Sequence, residues 1–281
     1  MKVDPRALAG IERKVARADE HFRALTDEMR AWSDRKPWRF SYEVHNNGRK
    51  HFFRLNLAEP IPIDWAVILG EAVHDLRSAL DQAVYWLTVD WEGKPLKLSS
   101  FPVYTRRRPF VQKDKTGAWS SSGGMYKIRG IGPCPQAFIE GLQPYPQRYK
   151  MRPTCFDLRL LHDLWNKDKH RLVHIWGLRH TDANLRLDQN VVADCVVGLD
   201  SRVLQEGAIV VKITCDPPHP RVKVEGEITS TLSIYAGKRK GGGPVRLLDI
   251  YSTAADIIRK LVNAIGRQEE PISLDIWTAK G

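Results

Sequence analysis

The sequence has no long apolar run. Its longest apolar-leaning stretch, Ile61 to Val89, is broken by Glu71, His74, Asp75, Arg77 and Asp81, whereas a bilayer span needs about 20 predominantly apolar residues. No membrane partner is therefore expected. The first residues, MKVDPRALAGIERKVARADEHF, are charged throughout and hold no apolar segment of the signal-peptide kind. The expected location is cytoplasmic. Cysteine is scarce: Cys134, Cys155, Cys195 and Cys215 lie far apart, with no CxxC pair and no His at zinc-finger spacing. Free, mostly buried thiols are expected, because a chain of 281 residues can bury a core without disulfides. GxxxxGK[ST], GxGxxG and GxSxG are all missing, and Gly241, Gly242 and Gly243 follow no strand-to-helix phosphate turn. These absences argue against nucleotide hydrolysis and α/β-hydrolase chemistry, and no cofactor is expected. No internal repeat is found.

Charge is unevenly spread. From Lys94 to Arg152 twelve Lys or Arg stand against Asp114 and Glu140, so this segment carries almost all of the net charge of +11. A regional excess of this size is how an anion-facing surface is written, although the same residues serve solubility. Arg106, Arg107, Arg108, Lys127, Arg129 and Lys169 are the candidate RNA-binding residues, and Trp119 is a candidate base-stacking platform.

Hydrophobic spacing predicts the elements. Leu8, Ile11, Val15, Ala18, Phe22, Leu25 and Met29 recur at three- and four-residue steps, which predicts a helix from Pro5 to about Trp32. RFSYEV and KHFFRLNL flank His45, Asn46, Asn47 and Gly48, a hairpin signal. Asp64 can cap a long helix to about Leu87. The Pro- and Gly-rich stretch from Gly93 to Pro153 reads as loop, apart from a short helix near Ala137 to Leu142. A second core helix runs from Thr154 to about His170, β-branched runs from Arg171 to Tyr235 read as several strands, and a final helix spans Val245 to Arg267. Helices and strands come in runs rather than in alternation, so the expected class is α+β: a bundle of about four helices with a hairpin and an antiparallel sheet inserted. The expected division places 1–171 with 245–267 in a helical region that includes the hairpin, and 172–237 in the sheet.

Two helix faces could carry chemistry. On the first long helix, His74, Arg77 and Asp81 fall within one narrow sector, flanked by Glu71 and Gln82. If solvated, this is an ordinary polar face with an i,i+4 ion pair. If it lines a cleft, Arg77 can hold a phosphate with its fork of donors, His74 can move a proton near neutral pH and Asp81 can orient either. These are the residue types that metal-independent RNA cleavage needs. On the second helix, His162, Asn166 and His170 recur every four residues beside Lys167, Lys169 and Arg171. Asn166 and His170 could approach Arg77 and Asp81 if the two helices pack. A metal reading would join His162 and His170 to His74 and Asp81, but two turns separate the first pair, unlike the i,i+4 pair of helical zinc sites. No metal is expected.

At these residues the chain resembles known patterns. HDLRSALDQAVYWL, then FP at Phe101, LQPY at Leu142 and LHDLWNKDKHRLV at Leu161, resemble over about residues 66 to 175 a family of bacterial proteins of unassigned activity, written HxLRSALDH, FP, LQPY and LxxLxNxDKHR. The first motif also resembles the HEPN superfamily of helical nucleotide-binding and RNase domains, whose site is an Arg followed four to six residues later by a His. In this chain Gln82 stands where that pattern has His, and an amide cannot act as a general base near neutral pH. The resemblance implies a homodimer and a metal-independent ribonuclease of the toxin or phage-defence kind, with Arg77, His74, Asp81, Asn166 and His170 in the site. Two other readings stay open: a binding module without catalysis, and a buried polar network that only pins helices together.

Overall fold

The computed structural model describes residues 3–146, 153–169, 175–187, 195–199, 206–222, 224–234 and 247–274. The fold is α+β, in two compact units. One comprises Met1–Leu25, Ala66–Val173 and Arg246–Gly281; the other comprises Thr26–Trp65 and His174–Val245. Among the described residues, no helix is long and apolar enough to cross a membrane.

The helical unit is built on α2 (Asp64–Glu92), which continues five residues past the expected end at Leu87. Leu69, Val73, Leu76, Leu80, Val84 and Leu87 are all fully buried, at the three- and four-residue steps that bring side chains onto one face. Ile11, Ala18, Phe22 and Leu25 of α1 (Pro5–Asp34) are fully buried as well. So are Leu161 and Leu164 of α6 (Pro153–Asp168), and Ile257 and Leu261 of α7 (Leu247–Asn263). Thr253 of α7 donates to the carboxylate of Asp157 on α6 at 3.1 Å, both residues being buried. The basic segment is less loop-like than its composition suggests. It holds α3 (Arg107–Phe110), α4 (Gly124–Lys127) and α5 (Pro133–Gly141), the last starting on prolines whose missing N–H costs nothing at a helix start.

Gly70 is where α2 meets the end of α6. A Cβ built on it would stand 2.3 Å from a carboxylate oxygen of Asp168. Only a residue without a side chain allows that approach.

The sheet unit contains the four-stranded antiparallel order β1-β2-β5-β4, from β1 (Trp38–His45), β2 (Lys50–Leu57), β4 (Cys195–Leu199) and β5 (Ile209–Cys215). The hairpin thus belongs with the sheet: β2 pairs with β5, Phe53 opposite Val211 and Lys50 opposite Thr214. Reading it with the helical region followed chain order, whereas the pairing joins segments far apart in sequence. A separate ribbon pairs β3 (Ile175–Leu187) with β6 (Val224–Ile234). Val224–Ile234 forms one continuous strand.

The hairpin turn uses its sequence as expected. Asn46, Asn47 and Gly48 all have positive φ, which Asn tolerates and Gly favours. Gly48 is doubly required, because its absent Cβ would lie 2.2 Å from the carbonyl oxygen of His219. His51, fully buried, is satisfied at both nitrogens: Nε2 donates to the carbonyl of Gly48 at 2.9 Å, and Nδ1 accepts from the Tyr42 hydroxyl at 2.7 Å. The Tyr42 oxygen in turn accepts from the N–H of Val222 at 2.9 Å. This histidine is core architecture.

Cys134 and Cys155 are free thiols, as expected, but Cys215 is disulfide-bonded. Cys195 is registered directly opposite it on β4. Composition could not show that register.

Candidate functional site

The sector of α2 that looks like one polar stripe in sequence divides in three dimensions. His74 is exposed, while Arg77 is only 3% exposed. The chain around Phe101 lies over it: Arg77 Nη2 donates to Asp81 Oδ1 at 2.8 Å and to the carbonyl oxygen of Phe101 at 3.0 Å. The same Asp81 oxygen accepts the N–H of Phe101 at 2.9 Å. Burial pushes the Arg77 guanidinium below its ordinary pKa, and the charge and hydrogen bond of Asp81 pull it back. Its Nε and Nη1 are enclosed and have no hydrogen-bond partner.

The FP and LQPY motifs are parts of the same construction. Gln143, fully buried, donates through Nε2 to the carbonyls of Pro102 and Ile139, both at 2.9 Å, and accepts the N–H of Tyr104 at 2.9 Å. Arg77, Asp81 and Gln143 therefore fix the backbone from Phe101 to Tyr104. The motifs record a structural knot between α2, this segment and the end of α5.

Helix α6 supplies the other wall. Trp165 lies beside Arg77, whose guanidinium carbon is 4.9 Å from the ring centroid, and the ammonium of Lys169 sits 3.0 Å from the same ring. His162 stands next to it, ring centroids 6.0 Å apart. Asn166 donates from its amide to His162 Nε2 at 2.9 Å, leaving Nδ1 enclosed and without a partner. The His162 pKa is lowered to about 4, chiefly by burial and then by the positive charges of Arg77, Lys127 and Lys169. Burial, then the charge of Arg77, lowers that of Lys127.

Two clefts open on α2, with His74 on the wall of both. One, of about 340 Å³, is lined by His74, Ser78, Asp81, Gln82, Tyr85, Ser99 and Trp165. The other, of about 410 Å³, lies between α1 and α2 and includes Arg17, His21, Glu71, Asp75 and Asp168. Here Arg17 approaches Asp75 at 3.8 Å and His21 approaches Glu71 at 3.7 Å. Burial raises the Asp168 pKa, and the charge of His74 opposes it.

Of the candidate residues, Arg77, Asp81, Asn166, Lys127 and Lys169 are thus gathered around His162 and Trp165, with His74 on the rim. His170 lies outside the described residues. The remaining basic candidates are not brought in. Arg129 stacks on Tyr126 at 3.7 Å and donates to the carbonyl of Lys97 at 3.1 Å. Arg107 faces Glu140 at 3.5 Å, and Arg106 and Arg108 are exposed beside it in the chain. Trp119 contacts Lys113, 5.0 Å from its ring centroid. Tyr85 and Trp165 are the site residues that sequence reading missed. Trp165 falls on the apolar spacing of α6 and so reads as core, and no local signal marks it as half-exposed beside two cations. Among the described residues, no group of three or more His, Cys, Asp or Glu is placed to hold a metal ion. Comparison of the chain with protein-family models, curated proteins and solved structures finds no match.

Proposed function

We propose that the cleft between α2 and α6 binds single-stranded RNA without cutting it. The observation that carries this reading is Trp165: a half-exposed indole on the α6 wall of the cleft, contacted by Lys169 and Arg77, with Tyr85 of α2 lining the same cleft. Bases stack on aromatic rings whatever their identity, and neighbouring cations hold the backbone, so aromatic and cation together make a sequence-tolerant single-strand site. Ser78, Gln82 and Ser99 add hydroxyl and amide groups that can hydrogen-bond a base edge. A cytoplasmic setting goes with this role.

Several features argue against cleavage. Arg77 is enclosed, with Nη2 held by Asp81 and Phe101. Gln82 cannot take a proton from a 2′-hydroxyl. His162, with its pKa near 4, is too weak a base for efficient proton transfer at neutral pH. A ribonuclease reading, with its toxin or defence role and homodimeric site, keeps one specific support, the exposed His74 at the junction of both clefts.

The test is binding and cleavage of a labelled single-stranded RNA in EDTA, with native mass measured alongside. Salt-dependent binding without cleavage is expected. EDTA-resistant cleavage that His74→Ala abolishes, in a variant that still folds, would replace this proposal with the ribonuclease one.

A further inference from the structure

Three enclosed polar atoms around Trp165 have no partner among the described residues: Arg77 Nε, Arg77 Nη1 and His162 Nδ1. With the Asn166 amide donating to Nε2, the neutral His162 ring carries its proton on Nδ1, so all three atoms are donors. Buried donors without acceptors are rare in folded proteins and call for an explanation. The local charge is also one-sided. Arg77 from α2, Lys127 from α4 and Lys169 at the end of α6 all act on His162, and Asp81 is the carboxylate paired with this group. Asp163 on α6 is engaged by Arg159 at 3.3 Å, and Asp168 lies against Gly70. Among the described residues, with His162 neutral, these three cations are set against the one paired carboxylate of Asp81, and three donors face no acceptor.

We propose that Arg77, His162, Lys127 and Lys169 form a phosphate site at the foot of the cleft, and that taking up the anion protonates His162. A phosphate group supplies negative charge against these cations and the acceptor oxygens that Arg77 and His162 lack. Trp165, half-exposed and lying against Arg77, is the side chain that must move to admit it. Once an anion offsets the neighbouring cations, the charge that disfavours imidazolium is removed and the ring takes a proton. Asn166, exposed, can then turn its amide oxygen toward Nε2. This deepens the RNA-binding reading and rests on it for the source of the phosphate, a nucleic-acid backbone rather than the free ion.

The experiment titrates the full chain with inorganic phosphate from about pH 5 to pH 8, across the range where a histidine changes charge, and follows the histidine ring signals by NMR. A single-stranded RNA is run in parallel. Phosphate is expected to bind with uptake of a proton and to move the His162 midpoint upward by about one unit or more. Lys127→Gln with Lys169→Gln, checked for fold by circular dichroism, is expected to weaken binding by about tenfold or more. His162→Gln should bind phosphate without the proton uptake. A His162 midpoint indifferent to phosphate overturns the site, as does equal phosphate binding by the double lysine variant. If RNA binds while phosphate leaves His162 unchanged, the anion site fails and the RNA reading survives. If phosphate binds as described and RNA does not, the site stands and the RNA reading fails.

Discussion

Asp81 stands one helical turn beyond Arg77 and uses a single oxygen, Oδ1, to hold both the guanidinium at 2.8 Å and the N–H of Phe101 at 2.9 Å. One carboxylate thus neutralises a buried cation and also anchors the strand of chain that buries it. Asp81→Ala strands that charge, and removing one member of a buried pair costs about 3 kcal/mol or more. Arg77→Met removes the charge and is expected to cost less. Urea denaturation of both variants checks the order, and a larger loss for Arg77→Met would contradict it.

Gln143, fully buried, makes two hydrogen bonds to the segment that Asp81 anchors and a third to Ile139 of α5. Gln143→Leu leaves the Tyr104 N–H and the Pro102 carbonyl without their partner, at an expected cost of about 2 kcal/mol. Amide exchange at Tyr104 should accelerate in that variant, and unchanged protection there would contradict this account of the LQPY motif.

Gly70→Ala forces a methyl group against the Asp168 carboxylate. Overpacking of this kind costs about 1–3 kcal/mol. Because the two residues are in contact, Asp168→Ala in the same chain should recover part of the loss, and a double-mutant cycle measures it. Strict additivity would mean that the clash is relieved elsewhere.

His162 makes stability depend on pH. Its folded pKa of about 4 lies below the ordinary value of 6.5, so the unfolded chain binds the proton more readily in that interval. Stability from this residue is complete above about pH 6.5, falls as pH drops toward 4 and changes no further below that, by at most about 3 kcal/mol and less where solvent screens the ring. His162→Gln should flatten that part of the profile. An identical pH dependence in the variant would show that other groups carry it.

Much of the fold is legible in the sequence because its signals are local. Pro5 and the spacing from Leu8 to Met29 mark α1, and Asn46, Asn47 and Gly48 write a turn that needs positive φ. What sequence does not show is non-local. The pairing of β2 with β5 depends on a register between distant segments, and Cys195 meets Cys215 only through such a register. The burial of Arg77 has the same origin. Helical periodicity places it on the polar face of α2, correctly, but the segment that covers that face arrives through Phe101, and no spacing within the helix announces it. His74, one turn earlier on the same sector, stays exposed. The His162 and Asn166 pairing was readable as an i,i+4 relation, whereas the role of Trp165 was hidden by its place among leucines.

The proposed stacking of RNA on Trp165 is tested most directly by the affinity of a single-stranded RNA for wild type and for Trp165→Ala. Loss of one base–aromatic stack is worth about 1–3 kcal/mol, so the variant should bind about five- to 150-fold more weakly, with a nearly unchanged salt dependence because no phosphate contact is removed. Equal affinity in a folded Trp165→Ala variant would contradict the account and leave the indole as packing for Arg77.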